Sequence, residues 1–147
     1  MTQYQHTQIG YLLLVALGAG MLLVLSLLAA SGFNWVGVVV LVILAVCLVV
    51  FASLTVEIDE RSLVVRFGPG LVRKAFALND VETYALVKNP WYYGWGIHWT
   101  PSGWLFNVSG TSAVELRMKN GKRYRIGTDD PQGLGIALQE ALHRRLS

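Results

Sequence analysis

The chain has 147 residues, enough for about one domain. It is 54% hydrophobic and only 14% charged, against roughly 25% charged in an ordinary soluble domain, and all 12 Lys and Arg and all 9 Asp and Glu lie at or after Glu57. An uncharged first part joined to a remainder of net charge +3, with Cys47 as the single cysteine, excludes a disordered chain, a disulfide scaffold and a wholly water-soluble protein.

Residues 1–8 read as a polar N-terminal tail. Residues 9–54 read as a transmembrane helical hairpin with spans at 9–30 and 35–54, because each uncharged run is about 30 Å long as a helix, the thickness of a hydrocarbon core. Helices apolar on every face need lipid around them, and the polar remainder is too small to enclose two. A cleaved signal peptide is disfavoured: the leading MTQYQHTQ has no Lys or Arg, the run is long, and a second comes at once. Only Ser31-Gly32-Phe33-Asn34 separates the runs, so they return antiparallel, with Asn34 capping the second. Both termini then share one side of the bilayer. Arg61, Arg66, Arg73 and Lys74 lie soon after the second run, so that side is expected to be the cytoplasm. Folding the hairpin sets Gly20 level with Ala45 and Gly18 level with Cys47, where small residues would let the helices approach closely.

Residues 55–147 read as a cytoplasmic domain, and the hydrophobic period changes to two just before them. Leu54, Val56 and Ile58 alternate with polar residues, as do Leu63, Val65 and Phe67. A turn at Glu60-Arg61 pairs Ile58 with Leu63 and Val56 with Val65. Further strands are predicted at 72–78, 81–88, 94–99, 103–108, 113–119 and 122–127, in an all-antiparallel arrangement. In the last pair Val114, Leu116, Met118, Tyr124 and Ile126 point one way, and Glu115, Arg117, Lys119, Arg123 and Arg125 the other. A three-residue loop Lys119-Asn120-Gly121 with a left-handed Gly121 pairs Leu116 with Tyr124, Val114 with Ile126 and Glu115 with Arg125. Asp130-Pro131 then opens a helix whose apolar stripe is Leu134, Leu138, Ala141 and Leu142.

That order of elements is the order of the pleckstrin-homology (PH) superfold. Gly94-Trp95-Gly96-Ile97, Gly121-Lys122 and Ile126-Gly127-Thr128-Asp129-Asp130-Pro131 followed by Leu134 resemble the pattern of short bacterial membrane proteins that carry a PH-like domain. The resemblance covers residues 54–146. It implies a membrane-anchored α+β protein: a two-helix transmembrane hairpin, then a PH-like antiparallel β-barrel or sandwich closed by a C-terminal helix. It further implies structural roles for Gly94, Gly96, Gly121, Gly127, Asp130 and Pro131, a non-enzymatic character, and a place in the bacterial inner membrane.

No catalytic constellation stands out. His6, His98 and His143 lack a second ligand at metal spacing, Gly94-Trp95-Gly96 lacks the third glycine of a dinucleotide motif, and helix capping accounts for Asp130. No cofactor and no catalytic or metal-binding residue is expected. Two surfaces could carry function. One is the basic strand face of Arg117, Lys119, Lys122, Arg123 and Arg125, a candidate for anionic lipid or a partner protein; nucleic acid is not expected, because aromatics do not interleave the cations. The other is the aromatic stretch 91–106, which holds four of the five tryptophans. Trp91, Tyr92, Tyr93, Trp95 and Trp104 are its candidate interface residues, toward the lipid surface or another subunit. The expected function is an interaction scaffold at the inner membrane that binds a partner protein or a second copy of itself. The alternatives are a reader of anionic headgroups and an accessory subunit of a transporter or envelope complex.

Overall fold

A computed structural model describes residues 2–147 as an α+β fold: a helix pair near the N-terminus, two sheets and a C-terminal helix. In chain order the elements are β1 (Tyr4–Ile9), α1 (Tyr11–Ser31), α2 (Trp35–Val50), β2 (Ser53–Ile58), β3 (Ser62–Phe67), β4 (Val72–Ala77), β5 (Val81–Lys88), β6 (Gly96–Thr100), β7 (Gly103–Asn107), β8 (Ser112–Met118), β9 (Arg123–Gly127) and α3 (Pro131–Leu146).

The expected tail is in fact a strand. β1 pairs antiparallel with β2, with Tyr4 opposite Ile58 and Ile9 opposite Ser53. The helix pair is therefore an insertion at the tip of a β-hairpin, and both of its ends return to one ladder. At that junction the Gly10 amide donates to the Ala52 carbonyl at 2.8 Å. The other end of β1 is clasped to the segment before α3: Tyr4 Oη donates to Asp130 Oδ2 at 3.0 Å and His6 Nε2 meets Asp129 Oδ1. Burial and the neighbouring Asp130 carboxylate hold the Tyr4 hydroxyl well above its ordinary pKa, so it remains a donor.

No residue of α1 or α2 is buried. The serine hydroxyls of α1 are satisfied inside the helix, Ser26 Oγ donating to the Leu22 carbonyl and Ser31 Oγ to that of Leu27. With 21 residues and a mean hydropathy of 2.7, α1 is long and apolar enough to cross a membrane. The second run, expected to span from 35 to 54, is helical only to Val50; Ser53 already belongs to the ladder of β1 and β2, which ends the helix at 16 residues. Asn34 caps α2 as anticipated, its Oδ1 accepting from the Gly37 amide at 2.7 Å. The expected close approach at Gly18 and Gly20 is not realised: a Cβ on Gly18 would meet nothing, and one on Gly20 would make an ordinary contact with Leu44. Gly37 is the tight position, against Leu28.

The first sheet has the order β1-β2-β3-β4 and the second β5-β8-β9-β7-β6. They face each other as two separate sheets, not a closed barrel. The arrangement is not all-antiparallel either, because β7 lies parallel to β9 with Phe106 opposite Ile126. The predicted registers of β2 with β3 and of β8 with β9 are observed. In the second, Gly121 has φ +88° and donates to the Met118 carbonyl at 3.0 Å, while Met118 N–H closes the loop on Lys122. Between the sheets, Phe67 and Phe76 each approach Phe106 at 6.3 Å between centroids, and Phe76 meets Tyr124 edge-on at 4.8 Å. Leu54, Ile58, Leu63, Val65, Leu116 and Ile126 fill the rest, and Leu134, Leu138 and Ala141 of α3 close the core. Asp130 accepts from the Gly133 amide and Pro131 opens the helix, as expected.

Candidate functional site: an aromatic and cationic cleft

β5 and β6 occupy opposite edges of the second sheet, so residues 89–95 cross its outer face. The crossing lies over the side of the sheet away from the shared core, where Leu105 and Ala113 are fully buried.

This strap divides the predicted basic face. Arg125 lies beneath it: its Nη1 donates to Asn89 Oδ1 at 3.0 Å, its guanidinium stands 5.9 Å from the Tyr93 ring centroid, and Nη2 lies 3.9 Å from Glu115. Only 13% of its side chain is exposed. Arg125 is thus a packed structural group, where the strand alternation alone would put a free surface cation. Arg123 lies 3.7 Å from the same Glu115 but is exposed. Arg117, directly opposite Arg123 across the ladder, is exposed, and so are Lys119 and Lys122; none of these three has an ion-pair partner among the described residues.

The aromatic stretch is also divided. Trp91 and Tyr92 form a short helical turn and stand out at 77% and 68% exposure. Tyr93 turns inward; its hydroxyl lies 3.0 Å from Ser102 Oγ, and its carbonyl is hydrogen-bonded to His98. Trp95 is half-buried and donates to the Gly110 carbonyl at 3.0 Å. Gly94 and Gly96 flank it with φ of +73° and +94°, which is why glycine is needed at both. Gly127 has a different reason, since a Cβ there would overlap the Asn107 side chain.

The two exposed cations Lys122 and Arg123 meet the aromatics at one place. The β6–β7 turn has two residues, Pro101 and Ser102, and is stapled by the buried Thr100 hydroxyl, which donates to the Gly103 carbonyl at 2.7 Å. That register sets Trp99 opposite Trp104, with centroids 5.7 Å apart and rings nearly perpendicular. Because β7 runs parallel to β9, the turn lies beside the β8–β9 turn, and Gly103 is so close to the Arg123 carbonyl that no Cβ fits. Between the turns is an open cleft of about 420 Å³ lined by Trp99, Pro101, Trp104, Gly121, Lys122 and Arg123. Trp99 is 68% exposed and Trp104 40%, and no carboxylate lines the cleft. The Lys119 amide donates to the Asp80 carbonyl, and the Leu78 amide to that of Arg61. The cleft's basic turn thus adjoins the end of the first sheet opposite the helix pair.

Trp99 is missing from the interface residues predicted from sequence. A three-residue turn over 100–102 would have paired it with Gly103; the two-residue turn pairs it with Trp104, and Thr100 was the available signal. Among the described residues no group of three or more His, Cys, Asp or Glu could hold a metal ion. No protein-family model matches the chain, and no curated protein sequence does.

Proposed function

We propose that this chain is a non-catalytic interaction scaffold of the bacterial inner membrane, with a PH-like domain facing the cytoplasm. The cleft between Trp99, Trp104, Lys122 and Arg123 binds an acidic, partly apolar segment of a partner protein. One observation carries this reading: two tryptophans in edge-to-face contact, Trp99 68% and Trp104 40% exposed, line an open cleft together with two exposed cations and no carboxylate. Tryptophan and arginine are enriched where proteins bind one another, and the lack of a lining carboxylate suits an anionic segment. The anchor is the helix pair, in which α2 completes a second crossing by drawing on residues beyond its 16. The pairing of β1 with β2 brings residues on both flanks of the pair to one side, and the Lys and Arg after it favour the cytoplasm as that side. Two sheets and a closing helix are in keeping with the PH-like resemblance.

The lipid-reader alternative is less favoured, since Lys119 and Lys122 adjoin the end of the first sheet away from the helices. The test is crosslinking and co-purification from native membranes with the full-length protein. Trp99→Ala with Trp104→Ala should abolish a discrete protein adduct while membrane integration persists, and Lys122→Glu with Arg123→Glu should weaken it. Retention of the same partner by all four substitutions together would move binding to another surface. Crosslinks from the cleft to anionic lipid alone, and no protein adduct, would favour the lipid reader.

A further inference from the structure

The junction between helices and domain has an unusual seat. α2 has 16 residues, about 24 Å at 1.5 Å per residue, against a hydrocarbon core of about 30 Å. α1 has 21 residues, about 32 Å, and crosses unaided. The shorter leg matches the longer when the chain just beyond Val50 is drawn into the interface, one of the ways a short span is accommodated. The start of β2 lies there, with the β3–β4 turn held against it. The Gly68 amide donates to the Ser53 carbonyl at 2.9 Å. A Cβ on Gly68 would lie 2.5 Å from the Val49 carbonyl oxygen and 2.7 Å from that of Val50, and its φ is +54°. Only glycine permits this approach, so the turn is fixed against the last turn of α2.

The turn then presents an apolar side chain outward. Leu71 is 75% exposed, Pro69 is exposed beside it, and Arg73, two residues on, is also exposed. A single exposed leucine is ordinary on a soluble surface; this one belongs to the turn that Gly68 sets against the end of α2, where Val49 is 57% exposed. On the other leg, Ile9 and Tyr11 are exposed where β1 gives way to α1, and Tyr is favoured at the membrane–water boundary.

We propose that the β3–β4 turn dips into the boundary between headgroups and acyl chains, with Leu71 among the upper acyl segments and Arg73 at the phosphates. It thereby seats the domain directly on the bilayer and makes good the short second helix. This rests on reading the helix pair as membrane-spanning. The occupant of the surface is lipid, through apolar insertion beside the anchor and independently of the cleft.

The test uses full-length protein carrying Cys47→Ser, with single cysteines at Leu71→Cys, Val42→Cys and Arg117→Cys, each bearing an environment-sensitive fluorophore in liposomes that contain nitroxide lipids. The label at position 42 should be quenched by deep nitroxides. The label at 71 should be quenched by shallow nitroxides at least twofold more than that at 117, and unlabelled Leu71→Cys should react at least fivefold more slowly than Arg117→Cys with a charged, water-soluble maleimide. If 71 behaves like 117 in both measurements while 42 is quenched, the proposal fails and the spanning helices stand. If no lipid-borne quencher reaches 42, the spanning reading fails and takes the proposal with it.

Discussion

Asp130 performs two tasks with its two oxygens, and their coupling can be measured. Oδ1 accepts from the Gly133 amide at 3.1 Å and caps α3, while Oδ2 accepts from Tyr4 Oη at 3.0 Å and ties down β1. Losing the cap is worth about 1 kcal/mol. A hydrogen bond to a charged group contributes roughly 1.5–3 kcal/mol when shielded, and this half-buried one should contribute about 1 kcal/mol after solvent screening. Tyr4→Phe should therefore destabilise by about 1 kcal/mol, Asp130→Ala by about 2, and the double variant by about 2 again, a coupling near 1 kcal/mol. Denaturant unfolding of the full-length protein in lipid nanodiscs, monitored by tryptophan fluorescence, would measure all four corners of the cycle. Simple additivity, with a coupling below about 0.3 kcal/mol, would mean that β1 is not held by Asp130. The same bond has a pH signature. Folding raises the Tyr4 pKa above its ordinary 10.0, so its contribution is complete below pH 10 and is lost as pH rises further. The stability gap between wild type and Tyr4→Phe should narrow in that range.

The two arginines that share the predicted basic face should behave differently. Arg125→Ala, which strips Asn89, Glu115 and Tyr93 of a common partner, should cost about 2–3 kcal/mol of stability; Arg117→Ala should change it by less than about 0.5, as thermal or denaturant unfolding would report. Gly127→Ala should destabilise strongly and lower expression of folded protein, because Asn107, which its Cβ would strike, is fully buried; an unfolding midpoint equal to wild type would contradict this. Asp59 is held below its ordinary pKa by the amides of Arg61 and Ser62, so its contribution to the β2–β3 turn is present above the ordinary carboxylate range and is lost as pH falls. Asp59→Ala should accordingly flatten the acid side of the stability profile.

Alternation made the local hairpins readable. Leu54, Val56 and Ile58 against Leu63, Val65 and Phe67 permit one register that buries a single face, and Gly121 selects the β8–β9 loop. Contacts distant in sequence were less legible. β1, YQHTQI, has no apolar alternation, and its partner lies beyond the whole helix pair. The parallel pairing of β7 with β9 depends on where the strap lands, and the burial of Arg125 depends on the strap in turn. At the site, the cations and most of the aromatics were recognisable by type, but their meeting at one cleft needed the β6–β7 register and the β7–β9 pairing, which composition does not encode.

The central claim is that the tryptophan cleft holds a protein segment. A photoreactive benzoylphenylalanine in place of Trp99, in the full-length protein irradiated in native membranes, tests it directly, with the same group in place of Ile136 on α3, which is also exposed, as the control. The account predicts one discrete protein adduct from position 99 that Trp104→Ala and Lys122→Glu each reduce severalfold, and none of that mass from position 136. Equal labelling from both positions, or adducts from position 99 with lipid alone, would contradict it.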